Sequence, residues 1–407
     1  MKKEWLLAMC ATAMMASCAK DKTIALDNGA DGTPEEIILG AGQYLSAEVE
    51  QGQPMKAASR GIGSVGDLAA ANNWDGETVY VYGIVSTLTG DAQFAINGEA
   101  ATAPAGAVGE TVTSPLTWAT ADKHFYYDGN NLYDFYGCHV DDAATEEMTI
   151  PTGTDYDLAT KGFSVPVTID GTQDLMVAMP NKESDRTAEG VDQEQVTNTD
   201  YLYSAWSSRR GVKPNLVFKH VLTRLTFKAK CGDASAPAQP VKITSIQVTG
   251  AISDGTLTVI PANSGTQGFV AGTTTANFAL KGPDLDPETQ KLEDFSGKDI
   301  TNVDPVDFEQ IGASMMLVPG GEYTIVITTE QDMNNNSTID ANEKGTITKK
   351  ITYTGGFVAG TNYNINITVY GLQEIAVNAT LTAWNEAGED IEIDPDDINP
   401  PTPSPVP

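Results

Sequence analysis

The chain is poor in the residues that most often carry chemistry. It has three histidines in 407 residues (His124, His139 and His220), and no two are spaced to share a helix face as metal ligands. Positive charge is scarce: 24 Lys and Arg stand against 55 Asp and Glu, for a formal net charge of −31. A chain this acidic repels phosphate backbones, which argues against nucleic acid as a partner. Four cysteines with no C-x-x-C spacing exclude the common zinc modules. Beyond residue 17, no apolar run reaches the ~18 residues that span a bilayer as a helix. No G-x-S-x-G motif is present, and the neighbouring acids Asp141-Asp142 and Glu146-Glu147 are ordinary among 55 carboxylates. The sequence therefore reads as non-enzymatic.

What is present begins at the first residue. Met1-Lys2-Lys3 precedes a mostly apolar stretch over residues 5–16, too short to span a membrane and of the right length for a signal-peptide core. It ends in Met15-Ala16-Ser17-Cys18, which resembles the lipobox of bacterial lipoproteins, with Met15 where Leu is usual. Residues 1–17 are thus expected to be a lipoprotein signal peptide, with Cys18 the lipidated residue. Cys10 leaves with that leader. Cys138 and Cys231 lie in unrelated segments; a disulfide between them is open in an oxidising compartment, but two independent buried thiols is the better reading.

Downstream, short runs rich in β-branched and aromatic residues recur between Gly, Pro and Asn turns. They fall at residues 78–85, 163–169, 174–179, 216–230, 241–248, 255–260 and 273–280, then at 322–329, 345–353, 361–370 and 374–384. Several alternate with period two: Tyr323, Ile325 and Ile327 face one way, and Thr324, Val326 and Thr328 the other. Helical periodicity is confined to residues 65–72 and a short piece near 130–135. The class predicted is all-β, with antiparallel sandwiches. The length exceeds one sandwich of about 100 residues, so two are expected. The boundaries read as a prosegment at 18–60, β-sandwiches at 61–210 and 211–394, and a Pro-rich tail at 395–407 whose prolines remove backbone donors.

Two motifs touch on ligand chemistry. Gly61-Ile62-Gly63-Ser64-Val65-Gly66 matches the dinucleotide pattern, yet no strand precedes it and no βαβ unit follows, so it reads as a flexible loop beside Arg60. Asp332, Asn334, Asn336, Thr338, Asp340 and Glu343 occupy positions 1, 3, 5, 7, 9 and 12 of an EF-hand-like loop. Ser337 replaces the usual Gly at position 6, and strands rather than helices flank the loop. The expectation is a weak Ca2+ site, with an empty Asn-rich hairpin as the competing reading.

Four features together resemble the fimbrillins, the subunits of lipoprotein-derived pili. These are Cys18 in its lipobox, Ser59-Arg60-Gly61, the run Val217-Phe218-Lys219-His220-Val221-Leu222-Thr223-Arg224-Leu225-Thr226-Phe227, and the ending Ala376-Val377-Asn378-Ala379-Thr380-Leu381-Thr382-Ala383-Trp384. Trp74-Asp75-Gly76-Glu77 and Asp174-Leu175-Met176-Val177-Ala178 also fit. The resemblance implies two transthyretin-like β-sandwich domains and a lipidated precursor at the cell outer membrane. It implies a trypsin-like, Arg-specific surface protease that cuts between Arg60 and Gly61, with Arg209-Arg210 as a rival loop site. Removing the prosegment would free a groove for a strand from another pilus subunit of the same or another kind, by donor-strand exchange. The resulting fimbrium would adhere to host or bacterial surface ligands. The strand over residues 374–384 is the better donor, because beyond Trp384 only Ile391 and Ile393 interrupt the acids and prolines. The alternative is a lipid-anchored glycan-binding sandwich that never polymerises, reading sugars through Trp74 or Trp118.

Overall fold

A computed structural model describes residues 37, 39–43, 78–86, 92–102, 116–119, 124, 132–141, 162–180, 215–232, 239–261, 266–286, 288, 292–302 and 308–383. Among them the chain is all-β. The strands of the first half are β1 (Gly40–Gln43), β2 (Thr78–Ser86), β3 (Ala92–Thr102), β4 (Thr117–Trp118), β5 (Leu132–Asp141), β6 (Phe163–Thr168) and β7 (Asp174–Pro180). Then come β8 (Asn215–His220), β9 (Thr223–Cys231), β10 (Val241–Ile252), β11 (Asp254–Ile260), β12 (Gly268–Ala271), β13 (Thr275–Ala279), β14 (Lys281–Leu285) and β15 (Leu292–Asp294). The last are β16 (Lys298–Ile300), β17 (Glu309–Gln310), β18 (Met315–Leu317), β19 (Gly320–Glu330), β20 (Lys344–Phe357), β21 (Thr361–Gly371) and β22 (Glu374–Ala383).

A seven-stranded sheet runs β1-β8-β7-β5-β2-β3-β4. Two further sheets pack together through the alternating apolar residues of their strands. One runs β13-β10-β19-β20, with β16 on β10; the other runs β17-β9-β21-β22, with β18 on β9. In β9, Leu225, Phe227 and Ala229 are buried on one face, and in β21 Tyr363, Ile365 and Ile367 do the same. Period-two burial of this kind is what a sheet with one covered face requires. At the centre Phe357 lies 4.7 Å, ring to ring, from both Tyr323 and Tyr363. The Tyr323 hydroxyl donates to Val318 O at 2.7 Å, and burial drives the pKa of that phenol well up.

The two halves of the sequence are not separate in space. β6, from the first half, pairs antiparallel with β11, from the second, in a three-stranded sheet completed by β12. Ile169 N–H donates to Ser253 O, and Met316 N–H to Gly171 O, both at 2.9 Å. Gly171 holds φ +95°, and a Cβ there would sit 3.1 Å from Met315 and Phe278, so this contact needs glycine. Of the run read as one strand over residues 216–230, β8 lies in the seven-stranded sheet and β9 in another; the break at Val221-Leu222 is where the chain changes sheets. β8 thus shares its sheet with strands from the 61–210 segment, although residue 211 was the expected start of the second sandwich.

The helical piece read near residues 130–135 is corrected: residues 132–135 open β5, which is hydrogen-bonded to β2 on one side and β7 on the other. The ladder of residues 132–135 against Gly83–Ser86 of β2 outweighs a weak local helical pattern. The other helical reading, at 65–72, lies outside the described residues, as does the 61–66 loop. Cys138 and Cys231 are both free and buried, and burial pushes the Cys138 thiol up to about 12. Replacing Phe357 by Ala, which empties the centre of the aromatic cluster, is expected to cost about 3–5 kcal/mol in chemical denaturation.

Candidate functional site

The site is a strand-shaped slot at the edge of the seven-stranded sheet, and a segment of the expected prosegment fills it. β1 pairs in parallel with β8, Gly40 opposite Asn215 through Gln43 opposite Phe218. Just before β1, Ile37 N–H donates to His124 O at 2.7 Å, and Leu39 O accepts from Leu116 N–H at 2.8 Å. Leu116 directly precedes β4, the opposite edge of the same sheet. The segment around β1 therefore bonds toward both edges of the sheet. Ile37 and Leu39 are each 1% exposed and share an apolar cluster with Leu216, Phe218, Met176 and Leu116. Burying two such side chains contributes roughly 1.5–3 kcal/mol each.

Polar groups frame the slot. His124, whose carbonyl receives Ile37, has its Nε2 2.9 Å from the Glu99 carboxylate and its ring edge-on to Trp118, centroids 4.7 Å apart. On β8, His220 is a hydrogen-bonded strand residue: Nδ1 lies 2.7 Å from Asp174 Oδ2, both side chains fully buried. Its partner comes from β7, in contact with no sequence neighbour, and nothing in the local pattern pairs them. His139 on β5 stands opposite Met176, which stands opposite His220, so the two imidazoles flank one methionine on adjacent strands.

The loop at 332–343 is fully described. Asp332 accepts from Asn336 N–H (3.1 Å) and Ser337 N–H (2.8 Å), closing a tight turn in which Asn335 and Ser337 hold φ +56° and +62°. Ser337 thus adopts the left-handed backbone for which Gly is the usual choice. Glu343, 1% exposed, turns inward and accepts from the N–H groups of Met333, Asn334 and Asp340 at 2.8, 3.2 and 2.9 Å. Asn334 Nδ2 reaches Asp340 at 3.3 Å, and Asn336 Oδ1 takes the Thr338 N–H. The carboxylates serve the loop's own donors, and among the described residues no three His, Cys, Asp or Glu side chains gather around a common point. Cys18, Arg60, Gly61 and Trp74 lie outside the described residues.

A slot-bearing β-sandwich protein is the class this architecture defines. Residues 69–384 match the family model described as fimbrillin-like, and the chain belongs to that family. A comparison with curated proteins returned no match. Among solved structures, it is similar to a candidate cell adhesion protein from Bacteroides uniformis (16% identity, 79% of this chain and 95% of that one, TM-score 0.43). It is also similar to a fimbrial protein from Bacteroides vulgatus (10%, 75% and 92%, TM-score 0.38). A third is the tip fimbrial protein Mfa3 from Porphyromonas gingivalis, with C-terminal truncation (9%, 80% and 97%, TM-score 0.33).

Leu39→Asp puts a carboxylate into the apolar slot and should expel the strand. The amides of Ile37 and Leu116 are expected to exchange hydrogen about 100-fold faster, while those of β19 and β21 are unchanged. Glu343→Gln leaves a weaker acceptor for three N–H groups, and should lower stability by about 1–3 kcal/mol in thermal or chemical unfolding.

Proposed function

We propose that this protein is a fimbrial subunit made as a lipidated precursor, in which residues 18–60 plug a slot that is later filled by a strand from another subunit. The observation that carries the reading is the position of β1. It precedes Arg60 in sequence, and its segment is hydrogen-bonded on both sides and apolar underneath. Lipid on Cys18 holds the precursor at the cell outer membrane. A trypsin-like protease cutting between Arg60 and Gly61 would separate that segment from the rest of the chain. The vacated β8 edge and the Leu116 and His124 backbone groups would then lack partners, above an uncovered apolar floor. An extended segment of another subunit satisfies both needs by adding a strand. Because such filling is head-to-tail, it propagates as a filament rather than closing.

The donor is set by the same pattern. Ile375-x-Val377-x-Ala379 repeats the alternation of Ile37-x-Leu39-x-Ala41. In the precursor, β22 is paired along its length with β21, with Ile375 and Ala379 buried, so it must leave its own sheet to act in another subunit. The work is mechanical and adhesive, performed at the cell surface as part of a fimbrium and directed at host or bacterial surface ligands.

Treating wild type with a trypsin-like protease should yield a ladder of denaturant-resistant oligomers whose new N-terminus is Gly61. Arg60→Ala should remain monomeric under the same treatment. Monomer in both, after the wild type has lost residues 18–60, would sink the reading. Calcium at Asp332, Asn334, Asn336, Thr338, Asp340 and Glu343 is a separate proposal. About millimolar calcium, the range of weak extracellular sites, should raise the unfolding temperature of wild type over chelator, and less so for Asp332→Ala. An equal shift in the two dismisses it.

A further inference from the structure

The three-stranded sheet β12-β11-β6 has two edges, and the sequence treats them differently. Gly272 N–H donates to Asp254 O at 2.9 Å. By alternation, Val270 also turns its backbone groups toward β11, while Phe269 and Ala271 turn theirs away. Thr256 of β11 stands opposite Val270 on one side and Pro166 of β6 on the other. Since Thr256 bonds toward β12, Pro166 occupies a place where an N–H would point out of the sheet. Proline removes that donor and blunts the β6 edge. β12, which reads Gly-Phe-Val-Ala, carries neither Pro nor Lys. Among the described residues no strand pairs with its outer side.

This open edge is also free of charge. Residues 255–280 hold no Asp, Glu, Lys, Arg or His, in a chain with 55 acids, and β6 has none either. Asp254, where β11 begins, turns its carboxylate to Thr274, accepting from the backbone N–H at 2.8 Å and the hydroxyl at 2.9 Å. Val270 is 63% exposed, more than any other large apolar side chain among the described residues. Phe269 faces the other way and packs against the core, its ring so close to Gly255 that a Cβ there would lie 2.2 Å from it. β12 is thus pinned on its inner face and open on its outer face and edge.

We propose that β12 is a docking edge for the same strand of a second copy, the two pairing antiparallel about a two-fold axis at Val270. In that register Phe269 and Ala271 of one copy exchange backbone hydrogen bonds with Ala271 and Phe269 of the other. It uses every outward backbone group of both strands, and the two Val270 side chains meet on the outer face. Charge favours a like partner at this place. Each copy carries −31, so two copies repel over most of their surfaces and approach closely only where neither is charged. An uncharged, self-complementary edge meets that condition by pairing with itself. The contact requires neither cleavage nor donor-strand exchange, and stands or falls apart from that reading.

A four-residue ladder is short, so a covalent trap on the full chain is the sensitive test. Facing Cα atoms of a non-hydrogen-bonded antiparallel pair lie about 4.5 Å apart, within the span of a disulfide. Val270→Cys should therefore give a disulfide-linked dimer under mild oxidation, joined through position 270 of both chains in peptide mass spectrometry. Thr348→Cys, exposed on β20, is the control for random collision. The Val270→Cys yield should exceed it about tenfold, as a preformed contact raises the effective thiol concentration. Cys138 and Cys231 are buried. Raising salt from about 0.01 to 0.15 M, which shortens the screening length from about 30 to 8 Å, should increase the yield several-fold. Ala271→Pro, added to Val270→Cys, removes an outward N–H as Pro166 does on the other edge. It should return the yield to the control's with the unfolding temperature unchanged. Equal yields from Val270→Cys and Thr348→Cys overturn the proposal. So does linking that Ala271→Pro leaves undiminished, or linking of position 270 to a different protein in place of a second copy.

Discussion

An extended backbone at a sheet edge presents unpaired N–H and C=O groups, and the most consequential instance in this protein is met by a segment far from β8 in sequence. The segment around β1 gives its ladder to β8, while Ile37 and Leu39 exchange hydrogen bonds with His124 and Leu116 on the far side. Ile37 and Leu39 also cap an apolar cluster that β8 alone would leave open. Hydrogen bonding and burial act together here, which is why only another extended segment, with alternating apolar side chains, can take the place of this one.

That edge is connected to the rest of the molecule by covalent continuity. β8 runs through Val221-Leu222 directly into β9, which is central to the sheet that carries β21 and β22. Leu222 O accepts the Gly360 N–H, and Val221 N–H donates to Leu175 O, so the crossing between sheets is itself bonded on both sides. With β6 paired to β11 as well, load applied at the β1 slot has several backbone-bonded routes toward β22. Under the strand-exchange proposal, load passed between subunits would use routes of this kind. The paired Asp174 and His220 sit at the β8 end of this crossing, where an unpaired buried carboxylate would be costly.

Much of this was legible in the residues. Alternation in β19, β20 and β21 marked the strands of the last third, because a sheet with one covered face imposes its period on the sequence directly. β3 and the short strands β12 and β14 to β16 were not read, since they carry Gly, Ala, Lys and Asp where a strand pattern expects branched or aromatic residues, and β17 and β18, of two and three residues, are too short to show an alternation. The calcium-like spacing at residues 332–343 was legible too, but spacing does not say where a carboxylate points. Glu343 points inward, onto three backbone donors of its own loop.

The sequence by itself determined the all-β class, the acidic composition and most of the strands, because each follows from composition or from patterns a few residues long. The tertiary structure decided which strands meet. It joined β6 to β11, divided the 216–230 run between two sheets, set His220 against Asp174, and placed β1 against β8. Those pairings link residues dozens to hundreds of positions apart, and backbone hydrogen bonds, which form the ladders, look alike at every residue. Register and partner are fixed only when whole apolar faces are buried together, and no local stretch of sequence carries that information.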